Sequence, residues 1–191
     1  MAVGPERLVG RQRHLALLHD LLPAGQPRAV LGLVLGDPGI GKTRLLTEIA
    51  ATAAADGTVV VRGEAEHDDP EPLHPWRDIT LDLGITLPGA DATIAPAERR
   101  WELADLLADA LRRHAPVLVV LDDVQWADDD TLWILDRLAH RADLRGCTLL
   151  AASRPVADPT PRWQALRRAA ALVTVDALAP ADVAALVTAA G

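Results

Sequence analysis

The string Gly36-Asp37-Pro38-Gly39-Ile40-Gly41-Lys42-Thr43 sits between the apolar run Ala29–Leu35 and a segment of helical periodicity, and it narrows the possible folds further than any other feature. The spacing G-x-x-x-x-G-K-T requires a strand that feeds a glycine-rich turn opening a helix. Successive backbone N–H groups then converge on phosphate oxygens, because glycine admits the necessary angles and the close approach. Lys42 adds a point charge. The Thr43 hydroxyl, one residue on in the first helical turn, is placed to ligate a magnesium ion bridging the terminal phosphates. Gly36 to Thr43, with the adjoining Arg44, are therefore the candidate phosphate-binding residues.

A second string completes the first. Val117–Leu121 reads Val-Leu-Val-Val-Leu and ends in Asp122-Asp123. The run is too short to span a membrane but suits a parallel strand buried on both faces. This is a Walker B pattern. Side chains alternate along a strand, so the two carboxylates point in different directions, one to a magnesium shell and the other to a γ-phosphate. Asp122 is assigned to the metal, and Asp123 to orienting or deprotonating the attacking water.

The composition bounds the rest. The chain has 191 residues, half of them apolar, with five Trp and neither Phe nor Tyr. One domain with a core of Leu, Val, Ile and Ala is expected, which suits a sheet flanked by helices. The net charge of −8 argues against a nucleic-acid surface. The pairs Arg99-Arg100, Arg112-Arg113 and Arg167-Arg168 read as solvated helix faces with acids nearby. Cys147 is alone, which excludes an intrachain disulfide and points to a reducing cytoplasm. No stretch approaches the roughly 18 apolar residues of a membrane span, and the N-terminus lacks the apolar core of a signal peptide. His67, Asp68, Asp69 and His74 lie among prolines without ligand spacing, and no zinc site is expected there.

Along the chain, Leu15, Leu17, Leu18, Leu21 and Leu22 predict an opening helix that stops at Pro23. A strand near 29–35 leads through the phosphate loop to a helix over 42–55, ended by Asp56-Gly57. Residues 58–62 read as a second strand, 64–75 as an acidic, proline-rich loop, 76–83 as a short helix and 84–96 as a linker. The spacing of Trp101, Leu103, Ala104, Leu107, Ala108, Ala110 and Leu111 predicts a helix over 97–114 packed on the sheet. A helical segment from Trp126 to about Arg141, a strand at 148–152, a helix at 163–170, a strand at 172–175 and a closing helix at 181–190 follow. Alternating strands and helices with such crossovers mean a parallel, five-stranded α/β sheet covered on both faces.

Together, Val9-Gly10-Arg11, the phosphate loop, Leu121-Asp122-Asp123, Trp126-Ala127-Asp128 and Ser153-Arg154-Pro155 resemble the STAND-type, AAA-like ATPase domain of large LuxR-family transcriptional regulators. The Leu-Asp-Asp-x-x-Trp-Ala-Asp string discriminates best, since generic phosphate-loop enzymes seldom carry this tryptophan. The resemblance implies a P-loop NTPase three-layer αβα sandwich with strand order 5-1-4-3-2. It also implies ATP and Mg2+ as ligands and slow hydrolysis that times a switch. Gly39, Gly41, Lys42 and Thr43 then hold phosphates, Asp122 holds magnesium, and Arg154 matches a sensor of the γ-phosphate, the alternative being a strand-end arginine paired with a local acid. Val9, Gly10 and Arg11 resemble the segment on the base and ribose side. Trp126 is expected to pack beneath the site, as a tryptophan beside a buried strand usually does.

On this reading residues 1–27 form an opening segment, 28–176 the nucleotide-binding core and 177–191 the start of a lid. Relatives continue into a winged-helix lid, helical repeats and a helix-turn-helix, so this chain, ending at Gly191, reads as a fragment. The expected partners are ATP and ADP, other domains of a larger regulator or a second copy of the chain, with no direct nucleic-acid or membrane contact. Asp123 stands where many such hydrolases place glutamate, which suits a switch better than a motor. Three other readings remain: a module regulating a kinase or nucleotide cyclase, a small-molecule phosphotransferase using residues 64–96, and a non-hydrolysing nucleotide-binding scaffold.

Overall fold

A computed structural model describes residues 8–22, 27–67, 72–85 and 96–184. Among them, strands β1 (Val30–Leu35), β2 (Val59–Glu64), β3 (Val117–Asp122), β4 (Cys147–Ser153) and β5 (Ala171–Thr174) form one parallel sheet. The order is β2-β3-β4-β1-β5, the expected 5-1-4-3-2 read from the other edge. β3 and β4 lie inside the sheet, and nearly every residue of both is buried. That is why they appear in the sequence as unbroken apolar runs rather than alternating ones.

Helices cover both faces. On one side α1 (Gln12–His19) and α2 (Lys42–Ala55) bury Leu18, Leu45, Leu46 and Ile49 against Val34, Leu118, Val120 and Leu150. On the other, α3 (His74–Asp82), α4 (Pro96–His114), α5 (Asp129–Ala139) and α6 (Pro161–Ala169) pack Trp76, Leu107, Leu135 and Trp163 against Leu33, Val119, Leu121 and Leu149. Alternate residues of one strand thus serve the two cores. Cys147 is buried at the start of β4, and burial pushes its thiol up to about 12.

Differences from the sequence reading are local. Helix α3 begins at His74 rather than Trp76, inside the expected loop, because Pro75 is tolerated in a first helical turn and the preceding Leu73 N–H is anchored by Asp128 Oδ2 at 2.9 Å. Gly63 of β2 lets that turn approach, since a Cβ there would come 2.2 Å from the Pro75 carbonyl oxygen. The helical segment expected from Trp126 is divided into a 3-10 turn over Val124–Trp126 and α5. Trp101 does not join the core of α4. It is 45 % exposed and meets Trp133 of α5 edge to face, with ring centroids 4.7 Å apart. Most of the expected linker lies outside the described residues, as does the expected closing helix beyond 184; the backbone of 180–184 is helical. No helix is long and apolar enough to cross a membrane among the described residues.

Candidate functional site

The phosphate loop leaves the C-terminal end of β1 and enters α2 through Gly41, whose φ of 99° is a left-handed conformation that favours glycine. Gly41 offers no side chain to cap the helix, so the first N–H groups of α2 remain directed at whatever lies before them. Lys42 is only 6 % exposed, and its ammonium donates to the carbonyls of Gly36 (3.0 Å) and Asp37 (3.1 Å). A cavity of about 440 Å³ opens over this turn. Its lining combines Pro38, Gly39, Gly41, Lys42, Thr43 and Arg44 with Thr47, Asp123 and Arg154.

Asp122 closes β3. Leu118 and Val120 belong to the core beneath α2, so strand alternation turns Asp122 to the same side, toward the helix that carries Thr43. Its Oδ1 accepts the Asp123 N–H at 2.9 Å. The alternation argument fails for Asp123. That residue has left the strand and adopts a left-handed conformation, φ 51°, one that Asp tolerates better than most residues. The turn, rather than the pleat, aims its carboxylate into the cavity.

The sensor candidate arrives from β4. Arg154 is the first residue beyond that strand and lines the same cavity as Lys42 and Asp123. It makes no ion pair among the described residues, and its Nε is buried without a hydrogen-bond partner. Among the described residues, then, no local acid partners it. Trp126 departs from expectation. It is 40 % exposed rather than buried, it meets His67 edge to face with centroids 4.1 Å apart, and the Arg154 guanidinium carbon lies 5.7 Å from its ring centroid. The 3-10 turn lifts the indole out of the core onto the rim.

Not every candidate reaches this cavity. Gly36, Asp37 and Ile40 line a second one of about 390 Å³, with Trp163, Arg167 and the residues following β5. Val9, Gly10, Arg11 and the metal candidate Asp122 line neither. Arg11 is 4 % exposed, and its guanidinium donates to the carbonyls of Asp176 (2.6 Å) and Ile40 (2.9 Å), tying the opening segment to the phosphate loop and to the chain leaving β5.

Three residues at or beside the site were given no role by the sequence reading. Glu64 ends β2 directly beside Asp122 in the ladder. Burial first, and then the charges of Asp122, Asp123 and Glu66, hold its carboxyl above the usual range. Gln125 donates from Nε2 to Asp123 Oδ1 and accepts the Arg154 N–H at Oε1, each at 2.9 Å. Asp128 caps α5 by accepting the Thr131 N–H at 2.9 Å while its second oxygen holds Leu73. Gln125 and Asp128 both fall within the Leu-Asp-Asp-x-x-Trp-Ala-Asp string, which was the available signal.

Comparison with known structures agrees with this fold. The chain is similar to Cdc6p from Pyrobaculum aerophilum, with a TM-score of 0.68 and 24 % identity over 90 % of this chain and 46 % of that one. It is similar to the ORC1 protein of Aeropyrum pernix, solved in complex with DNA, with a TM-score of 0.67 and 19 % identity over 97 % of this chain and 50 % of that one. AMPPCP-bound DnaA from Aquifex aeolicus gives 0.53 and 17 % identity over 87 % of this chain and 46 % of that one. The chain thus spans about half the length of these neighbours, and at such identities the likeness is one of fold. No curated protein sequence matches it. The sequence profile of the AAA ATPase domain, however, matches residues 7–151, covering the phosphate loop, the Walker B strand and most of β4. With that match over most of its length, the chain belongs to the AAA ATPase domain family.

Proposed function

We propose that this domain binds ATP as its magnesium complex and hydrolyses it slowly, the ATP and ADP states serving as a switch read by neighbouring parts of a larger regulator of LuxR type. One observation carries the reading: a single cavity gathers the phosphate loop, Asp123 and an Arg154 that has no acidic partner among the described residues. An unpaired guanidinium and the free N–H groups of a helix N-terminus both favour an anionic ligand. The DnaA neighbour, solved with AMPPCP, binds an ATP analogue on a related fold.

The residues fit magnesium. Thr43 in the first turn of α2 and Asp122 at the end of β3 offer hard oxygen donors on the same side of the sheet. A site with few protein oxygens suits an ion that retains waters and shares phosphate oxygens. When bound, the ion neutralises charge on the terminal phosphates. Lys42 and the loop N–H groups hold the β- and γ-phosphates; the base and ribose role of Val9 and Gly10 rests on the resemblance, Arg11 tying their segment to the phosphate loop. Asp123 orients the water. The water oxygen attacks the γ-phosphorus, the bond to the β–γ bridging oxygen breaks, and ADP leaves with that electron pair. The water's proton passes through the Asp123 carboxylate to solvent, giving ADP, inorganic phosphate and a proton. Arg154 pairs with the γ-phosphate oxygens and distinguishes ATP from ADP. The regulatory setting rests on the resemblance carried by Leu121-Asp122-Asp123 and Trp126-Ala127-Asp128.

Calorimetric titration of the purified chain with ATP and ADP, with and without magnesium, tests the reading. ATP binding should depend on magnesium and weaken at least about tenfold, some 1.4 kcal/mol, in Lys42→Ala. Indifference to the Lys42 change, or no binding at about millimolar nucleotide, would overturn it.

A further inference from the structure

We infer that Gln125 is a positioning residue that couples the water-orienting carboxylate of Asp123 to the γ-phosphate sensor Arg154, an inference that rests on the hydrolytic reading above. Because Asp123 stands in a left-handed turn, the sheet does not dictate where its carboxylate points. Its side-chain hydrogen bond among the described residues comes from Gln125 Nε2 at 2.9 Å. Arg154 has stepped off β4, so its N–H finds no ladder partner; Gln125 Oε1 accepts it at 2.9 Å.

One planar amide is therefore bonded at both ends, to a side chain from the β3 turn and to backbone beyond β4. The geometry of a single functional group sets how these two strand ends stand relative to each other. The requirement is specific to residue type. Glutamate has no donor for Asp123, lysine no acceptor for Arg154, and asparagine is shorter by one methylene. Gln125 itself does not line the 440 Å³ cavity, whereas both its partners do, so it acts through them. A shift of Arg154 toward a γ-phosphate moves its backbone, draws the amide with it and re-aims the Asp123 carboxylate. Sensing and water placement become one motion.

Two variants separate the halves of the bridge: Gln125→Glu keeps the acceptor for Arg154 and loses the donor for Asp123, and Gln125→Ala loses both. NMR amide exchange at Arg154 should be faster in Gln125→Ala and near wild type in Gln125→Glu. In single-turnover hydrolysis both variants should be slower by about tenfold with ATP affinity nearly unchanged, the pattern of a misplaced rather than a missing group. Gln125→Ala should add nothing to an Asp123→Asn background. Equal Arg154 exchange in wild type and Gln125→Ala, or rate effects that add in the double variant, would overturn the inference. A wild-type chain that binds ATP without hydrolysing it would instead overturn the hydrolytic reading. The bridge would then be judged by the ratio of ATP to ADP affinity, which Gln125→Ala should lower about fivefold and which, unchanged, overturns it. In a chain that binds no nucleotide, Arg154 exchange alone decides.

Discussion

Single residues in this domain are set by what their polar atoms meet. Lys42 can be buried because two loop carbonyls accept from its ammonium, while Arg11, buried to a similar degree, is held by two carbonyls from distant parts of the chain. Arg100 and Arg112, from two of the arginine pairs, and Arg141 resolve in the same terms. Arg100 bonds Asp130, Arg112 bonds Asp109 and Asp143, and Arg141 bonds Asp105 and Asp143, so these guanidiniums tie α4 to α5 and the turn after it. The hydrogen bonds from Arg141 hold the Asp143 carboxyl well below the usual range against the opposing effect of burial, helped by its own backbone N–H and by the charges of Arg141 and Arg112. A depressed carboxylate stabilises the fold above its unfolded-state value, and that contribution is lost as pH falls toward the folded one. Asp143 is partly exposed, so Asp143→Asn should lower stability by at most about 1 kcal/mol at neutral pH. The gap from wild type should narrow only as pH falls below the ordinary carboxylate range toward the depressed value, and denaturant midpoints at neutral and strongly acidic pH check it.

At the level of elements, helix starts differ in how their first N–H groups are met. α5 and α6 are capped by the side chains of Asp128 and Thr160, which occupy N–H groups that would otherwise be unmet. α2 begins at a glycine with no cap, leaving its N–H groups to the phosphate loop. Asp128 has a second task, because it also accepts the Leu73 N–H before α3 and so joins two helices on one face of the sheet. Asp128→Ala should destabilise by about 2–4 kcal/mol, the sum of a lost cap and an orphaned, part-buried donor. Asp128→Asn keeps one acceptor for the cap and should fall between, a graded series that thermal or denaturant unfolding reads directly. Within the Leu-Asp-Asp-x-x-Trp-Ala-Asp string, then, Gln125 bridges strand ends and Asp128 caps a helix.

For the whole molecule, the parallel order brings the ends of β1, β3 and β4 to one edge, where the loop, Asp123 and Arg154 share a cavity. A ligand that binds only this assembled edge stabilises the fold by mass action, about 2.7 kcal/mol at a hundredfold excess over Kd. For a chain of this size that is a rise of roughly 5–10 °C in Tm. Magnesium-ATP should produce it in wild type and fail to in Lys42→Ala, as differential scanning fluorimetry would show. The sequence by itself determined the five strands, the helices between them and the phosphate loop, because buried parallel strands appear as continuous apolar runs and the loop is a local string whose spacing dictates its own geometry. It also placed Asp123 and Arg154 as candidates, though the alternation it relied on is not what aims Asp123. Tertiary structure alone decided the rest. The Gln125 bridge exists only because the turn after β3 meets the end of β4, the exposed Trp126 follows from a 3-10 turn too short to leave a periodic signal, and Arg11 bonds a carbonyl 165 residues away. The Gln125 and Arg11 contacts join segments far apart in the chain, which no pattern within one segment encodes.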